Sequence, residues 1–304
     1  RVRRTAAGRL GAGPGLGERV AAASSAGPGT PPPSGTPART PARGGVAVDP
    51  DHHRVVLLAR DGRGWAGLCR LVSASHLAGE RGSPLVDPAA VAALAGQGVV
   101  VLLGPDSEVG RALAVRRPDL AAAALRPWRE AFGPDLAIEV VSHRARDTAA
   151  AAADLDGSPR RGRGWSSAAA ARLLGFAREQ GVPAVLGNAV RHAEREQAPV
   201  VDVLDAIRRL VPLDARHLDR ANAEGYLKSG QEMAAVAQEV ARLAGAGDPR
   251  RAGLGLLEAT RALAERCVLD PERDIGLGDV HVPELAVVLD PGAAHRTPSS
   301  YDGE

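Results

Sequence analysis

Aromatic side chains are nearly missing from this chain: Phe, Tyr and Trp together make up 2% of its 304 residues. Its core must therefore rest on Val, Leu and Ala. Lysine is scarcer still, since Lys228 is the only one and arginine supplies every other basic residue. With the abundance of Ala and Gly, this matches GC-rich coding and carries little functional signal. Cysteine is limited to Cys69 and Cys267, far apart and each inside an apolar helical pattern. Buried free thiols in a reducing compartment fit this better than a disulfide framework. No apolar run approaches the ~18 residues of a membrane span, and the arginine-rich start lacks the apolar region of a signal peptide. The expectation is a cytoplasmic protein with no membrane partner.

Charge is unevenly placed. Residues 1–45 hold seven arginines against one acid, Glu18, a local charge of +6, so the rest of the chain carries −4 of the overall +2. The same segment holds ten Gly and seven Pro. A basic tail can bind nucleic acid, but this one has no aromatic interleaving and no helical period. It reads as a solvated disordered arm with too little apolar surface to offset the entropy of ordering.

From about residue 46 the chain carries four short apolar runs: "RVVLLAR" (54–60), "GVVVLLG" (98–104), "LAIEVVSH" (136–143) and "PAVLGNAV" (183–190). They are rich in β-branched residues, are bounded by turn formers, and read as strands buried on both faces. Helical patterns separate them at 64–79, at 111–132 with a break at Pro118, and at 166–181, where Ser166 or Ser167 is the candidate N-cap and Gly181 the stop. The alternation predicts an α/β fold of right-handed βα units with a parallel sheet or barrel. A further helix follows Pro199, with Val200, Val203, Leu204, Ile207, Leu210 and Val211 expected on one buried face. Asp202, Asp205, Arg208 and Arg209 fall mainly on its other faces, and Pro212 ends it. Residues 229–245 and 253–270 predict a helical hairpin, and the next strand-like run is "LAVVLD" (285–290).

Few motifs carry chemistry. "GPDSEVGRAL" (104–113) enters a helix from a strand, as phosphate loops do, but lacks the Gly-Lys-Ser/Thr ending and the glycine triplet. A plain turn capped by Asp106 or Ser107 accounts for it better. "DLD" (154–156) places two carboxylates one residue apart, yet in a Gly/Arg-rich loop with no period, so a magnesium role is the weaker reading. His143 ends the third strand, and Arg191 and His192 come after the fourth, where barrel enzymes place functional groups. A metal centre needs three or more ligands per ion. Only Glu194 and Glu196 lie near His192, and Arg191 would set a fixed positive charge where a cation belongs.

The segments "RVVLLARDGRGWAGLCRLVSASHLAG", "VVVLLGPDSEVGRALAVRRPDLAAAALRPWREAFG", "NAVRHAEREQAPVVDVLDAIRRLVPLDARHLDRANAEGYLKSGQEM" and "TRALAERCVLDPERDIGLGDVHVPE" are long and colinear. Through them, residues 54–285 resemble the N-terminal PHP region (polymerase and histidinol phosphatase type) of C-family bacterial DNA polymerases, the α subunits of DNA polymerase III. The chain looks closest to an actinobacterial branch. The resemblance implies a distorted βα barrel, in which metal-binding members carry an early His-x-His, further His and acidic residues, a mid-chain histidine and a late Asp-x-His. His143 matches the mid-chain histidine. In "NAVRHA" Ala189 stands at the aspartate position and Arg191 at the histidine position, while His192 lies one place beyond. The early motifs would precede residue 46, where the tail now lies; "DHH" (51–53) has the wrong spacing.

The resemblance therefore implies an incomplete PHP-type barrel with a remnant site and no metal expected. The expected organisation is a disordered tail (1–45), a partial barrel (46–215), a helical end leading toward a polymerase palm (216–285) and a disordered end (286–304). By family the whole parent is a DNA-directed DNA polymerase, a nucleotidyltransferase of DNA replication, whose palm domain uses magnesium. This chain contains no such centre, so its expected role is structural, with no cofactor of its own. Its partners would be the remaining polymerase domains and, through them, DNA and the replisome. The rival readings are a metal-dependent phosphoesterase or proofreading 3'-5' exonuclease, and a non-functional gene fragment. If Arg191 fills a vacated cation position, it should sit near acidic groups at the strand ends.

Overall fold

The apolar runs become four strands, β1 (Val56–Ala59), β2 (Val99–Leu103), β3 (Leu136–Val141) and β4 (Ala184–Gly187); the central β2 and β3 are buried on both faces as expected, whereas β1, at an edge, is partly exposed along its length. The structure is a computed structural model and describes residues 53–78, 84–96, 98–145, 147, 165–214, 218 and 220–278. The tail (1–45), the "DLD" loop (154–156), the "LAVVLD" run and the segment 286–304 lie outside the described residues.

The strands form one mixed sheet in the order β1-β2-β3-β4. β2, β3 and β4 are parallel, as the alternation predicts, but β1 runs antiparallel to β2. The reason lies in the connection. Two helices, α1 (Gly62–Ala78) and α2 (Pro88–Ala95), pack on each other and bring the chain back to the end of the sheet that it left, so Ala59 lies opposite Val99. A single crossover helix would have delivered β2 to the opposite end. Among the described residues the sheet is open rather than a closed barrel, with β1 and β4 at its edges.

The expected helix over 111–132 divides into α3 (Glu108–Ala114) and α4 (Pro118–Phe132). Ser107 starts α3, its hydroxyl accepting from the Gly110 amide. Pro118 cannot continue a helix from the preceding turn but suits the first position of the next. On α4, Ala121, Ala124, Leu125, Trp128 and Phe132 are buried at helical spacing. Ser166 caps α5 (Ser167–Gln180) and Gly181 ends it in the left-handed conformation at φ 63°. The hairpin helices are α7 (Gly230–Leu243) and α8 (Pro249–Arg266). Helix α2 has no counterpart in the sequence expectation; its eight alanine-rich residues show little periodicity, though Asp87 caps it and Pro88 opens it.

The sheet has two unlike faces. Val99, Val101, Leu103, Leu136, Ile138 and Val140 belong to the large core, shared with α4, α5, α7 and Leu256 of α8. Alternate residues Val100, Leu102, Ala137 and Val185 form a small second cluster under Leu263 of α8. The rest of that second face, toward the C-terminal ends of the parallel strands, is left to a cavity lined by Val56, Glu139 and Val141.

Two further expectations are overturned. Cys69 is exposed and Cys267 half-buried, so the thiols are free but not both buried. The apolar periodicity of the α1 stretch places Leu71, not Cys69, in the core. Helix α6 (Ala198–Arg209) does not bury its apolar stripe: Val200, Val203, Leu204, Ile207 and Leu210 are exposed, whereas Asp202, Asp205 and Ala206 are buried. Ion pairs, rather than the hydrophobic face, set how this helix lies on the domain.

Candidate functional site

The cavity, of about 710 Å³, opens where β2, β3 and β4 end and β1 begins. Its floor is Glu139, the one residue of β3 that is not fully buried. Glu139 shares a face with Ala137 and Val141 by strand alternation. Its side chain lies between the glycines that end the flanking strands. A Cβ on Gly104 would come 2.7 Å from Glu139 Oε2, and one on Gly187 would overlap Oε1. The two glycines thus leave the width that the carboxylate occupies. Burial raises the Glu139 pKa and the neighbouring Asp106 raises it further. Asp106 is itself raised by burial, against the opposing charges of Arg111 and Arg54.

His143 lies just past β3, 3% exposed. Trp165 packs against it edge-on at 4.6 Å, and the Asn222 side chain donates to its carbonyl at 2.6 Å. Burial lowers its pKa, despite the Asn188 carbonyl 2.7 Å from Nε2; Lys228 and His192 also press toward the neutral ring. A neutral ring that donates from Nε2 keeps one lone pair, on Nδ1. His192 faces away from any such role: its Nδ1 meets the Glu194 carbonyl at 2.8 Å.

Beyond β4 the chain turns through Ala189, whose φ of 43° is unusual for a residue with a Cβ. The turn is held by a buried polar network. Asn188 donates to the Tyr226 carbonyl at 2.7 Å, and Lys228 donates to Asn188 Oδ1 at 3.1 Å and to the Glu224 carbonyl. Lys228 Nζ also lies 3.3 Å from Glu224 Oε2 and 4.5 Å from the Tyr226 ring centre. Its side chain is wholly buried. Burial lowers the Lys228 pKa, partly offset by Glu224. For Glu224, burial works upward but the Arg195 and Lys228 contacts outweigh it, and the net shift is downward.

Arg191 places one guanidinium nitrogen 2.9 Å from both oxygens of Asp205. Its acidic partner is therefore on α6, not at a strand end. Arg208 adds a looser contact to Asp205 at 3.6 Å, and Arg220 grips Asp202 through three bonds of 2.6 to 3.1 Å. These two carboxylates, which periodicity assigned mainly to outer faces, are the inner side of α6 and one wall of the cavity.

A divalent ion does not fit this donor set. Ala189 has no donor atom, and Arg191 has no lone pair and a permanent charge. His143 contributes one nitrogen, and among the described residues no three His, Cys, Asp or Glu side chains are grouped to hold an ion. The structure thus brings His143, Ala189, Arg191 and His192 to one cavity. Sequence reasoning missed Glu139 in the cavity and Lys228 in the buried network behind the Ala189 turn. The signals were present: one acid within an apolar strand, and one lysine in an arginine-rich chain.

No family model matches the chain. Over 250 residues it is 27% identical to the DNA polymerase III subunit alpha of Xylella fastidiosa, covering 81% of this chain and 18% of that protein. It is 31% identical over 184 residues to the error-prone DNA polymerase of Anaeromyxobacter dehalogenans, covering 60% of this chain and 14% of that one. A third similarity, 29% over 197 residues, is to the DNA polymerase III subunit alpha of Thermus aquaticus, covering 64% and 15%. The chain is thus distantly similar to a segment of the α subunits of C-family DNA polymerases, and spans less than a fifth of their length.

Proposed function

We propose that this chain is the PHP-type portion of a polymerase III α subunit, a partial βα barrel whose strand-end cavity has become a structural element without metal. The observation that carries the reading is the Arg191–Asp205 pair at the cavity wall. A guanidinium supplies the positive charge that a metal would supply, with one nitrogen of Arg191 donating to both oxygens of Asp205. Arg220 adds a two-nitrogen fork, Nε and Nη2, on Asp202 one helical turn away. Neither pair needs an ion, a water nucleophile or a substrate; Arg191 ties α6 to the loop beyond β4, and Arg220 ties it to the segment that leads to α7. Polymerisation itself, and contacts with DNA and a replisome, would belong to a larger polypeptide that this portion supports. His143 is a remnant ligand position, and Ala189 and Arg191 replace ligands. The organisation into a tail (1–45), a partial barrel (46–215), a helical end (216–285) and a further tail (286–304) is part of the same proposal.

The competing reading is a phosphoesterase or exonuclease, and one experiment separates the two. Purified chain is assayed with manganese, zinc and magnesium on p-nitrophenyl phosphate and on single-stranded DNA, beside the variant Ala189→Asp/Arg191→His. Both proteins should be inactive, because two restored ligands plus His143 fall short of a multi-metal cluster. Turnover by the unaltered chain sinks the structural reading. Turnover by the variant alone means that the cavity retains more of a metal site than its described residues provide.

A further inference from the structure

Helix α6 turns its charged side inward and its apolar side to solvent, the reverse of a helix that packs on its own domain. Val200, Val203, Leu204 and Ile207 are 41% to 64% exposed, and Leu210 and Leu213 at the C-terminal end are 92% and 60% exposed. Single exposed apolar residues are ordinary, but six in one stripe amount to roughly several hundred Å², a patch size that marks an interaction surface.

We propose that this stripe is a two-fold interface between two copies of this chain, with their α6 helices paired antiparallel. Three observations select that occupant. The spacing of Val200, Val203, Leu204, Ile207 and Leu210 is the three-four repeat of a helix-pair seam. The ends of the stripe differ in charge: Glu194 and Glu196 are exposed before its first turn, where the intervening Arg195 is paired with Glu224, and Arg208 is exposed in its last, with only a loose contact to Asp205. Parallel pairing would set acid against acid and base against base, whereas antiparallel pairing brings Glu196 of each copy toward Arg208 of the other. A two-fold contact is also self-complementary, so one stripe suffices to form it. The area decides the strength. Two such stripes bury on the order of 1,000 Å², the lower end for a specific interface, so the dimer is weak and concentration-dependent. The apolar stripe lies on the side of α6 away from Asp202 and Asp205, so such a dimer does not depend on the role of the cavity, with Arg208 the one residue that also lines it.

Sedimentation velocity of the full chain from low to high micromolar concentration tests it. The 31.2 kDa monomer should move toward twice its mass. Ile207→Lys, at a side chain exposed in the monomer, should weaken association at least about tenfold, with helix content unchanged by circular dichroism. Direction is read by cross-linking, with Cys69 and Cys267 replaced by serine. Leu204→Cys, near the two-fold axis, should form a disulfide with its own copy under mild oxidation. Leu210→Cys, near the end of the helix, should not. A monomer at every concentration overturns the proposal and assigns the stripe to a different polypeptide. A dimer indifferent to Ile207→Lys, or equal cross-linking at both positions, overturns it as well.

Discussion

Burial and the nearby Asp106 both favour a protonated Glu139, and this fixes the sign of its effect on stability. A carboxyl whose folded pKa lies above its ordinary 4.5 binds a proton more tightly folded than unfolded. Its contribution is fully present below that value and is lost as pH rises through the folded pKa. Glu139→Gln should therefore flatten the fall of unfolding free energy above the ordinary carboxylate range. Urea unfolding of the two proteins across that range checks it, and equal slopes would show that Glu139 is ionised and solvated. At Lys228 the charge is buried on all sides, so the shape of the group matters. The compact ammonium fits among Asn188, Glu224 and the Tyr226 ring. Lys228→Ala leaves Glu224 with Arg195 and a looser contact to Arg144, and should cost about 3 kcal/mol. Lys228→Arg should also destabilise, because a planar fork cannot replace a point charge there. A Lys228→Arg protein of unchanged midpoint in denaturant would refute that packing. In the sequence, Lys228 stands out by type and Glu139 by its apolar neighbours. Asp106 lies far from Glu139 in the chain and Asn188 far from Lys228, so their roles were not legible.

At the scale of elements, features governed by local rules were readable. The four strands, the break at Pro118, the Ser166 cap and the Gly181 stop all depend on a few adjacent residues. Features that depend on distant partners were not. The periodicity of α6 is real, but Arg191 and Arg220, which draw its carboxylates inward, come from other loops. Likewise the direction of β1 results from the packing of α1 on α2, not from β1 itself. That packing is close. Gly64 of α1 lies against the turn into β2, where an added Cβ would overlap the Gly98 carbonyl oxygen and stand 3.3 Å from Ala59 Cα. Gly64→Ala must push backbone against backbone and should destabilise by about 2 to 3 kcal/mol. Chemical denaturation measures it, and a change within about 0.5 kcal/mol would mean that α1 can lift from the sheet without penalty.

For the whole molecule, the α/β class was legible and the closure of the sheet was not. An open mixed sheet of four strands leaves its second face half covered by α8 and half facing a cavity, and ion pairs supply the cavity's wall. Among the described residues, no helix is long and apolar enough to cross a membrane. The similarity to polymerase α subunits relates the chain to a segment of much larger proteins. The central claim is that guanidinium groups hold this cavity where an ion would otherwise be required. Calorimetric titration of the unaltered chain with zinc and with manganese tests it most directly. A ligand that binds the folded state at a hundred times its dissociation constant stabilises by about 2.7 kcal/mol, so a parallel thermal melt reports the same event. The account predicts no stoichiometric heat and an unchanged melting temperature with either metal; one-to-one binding at micromolar affinity, with a raised melting temperature, would contradict it.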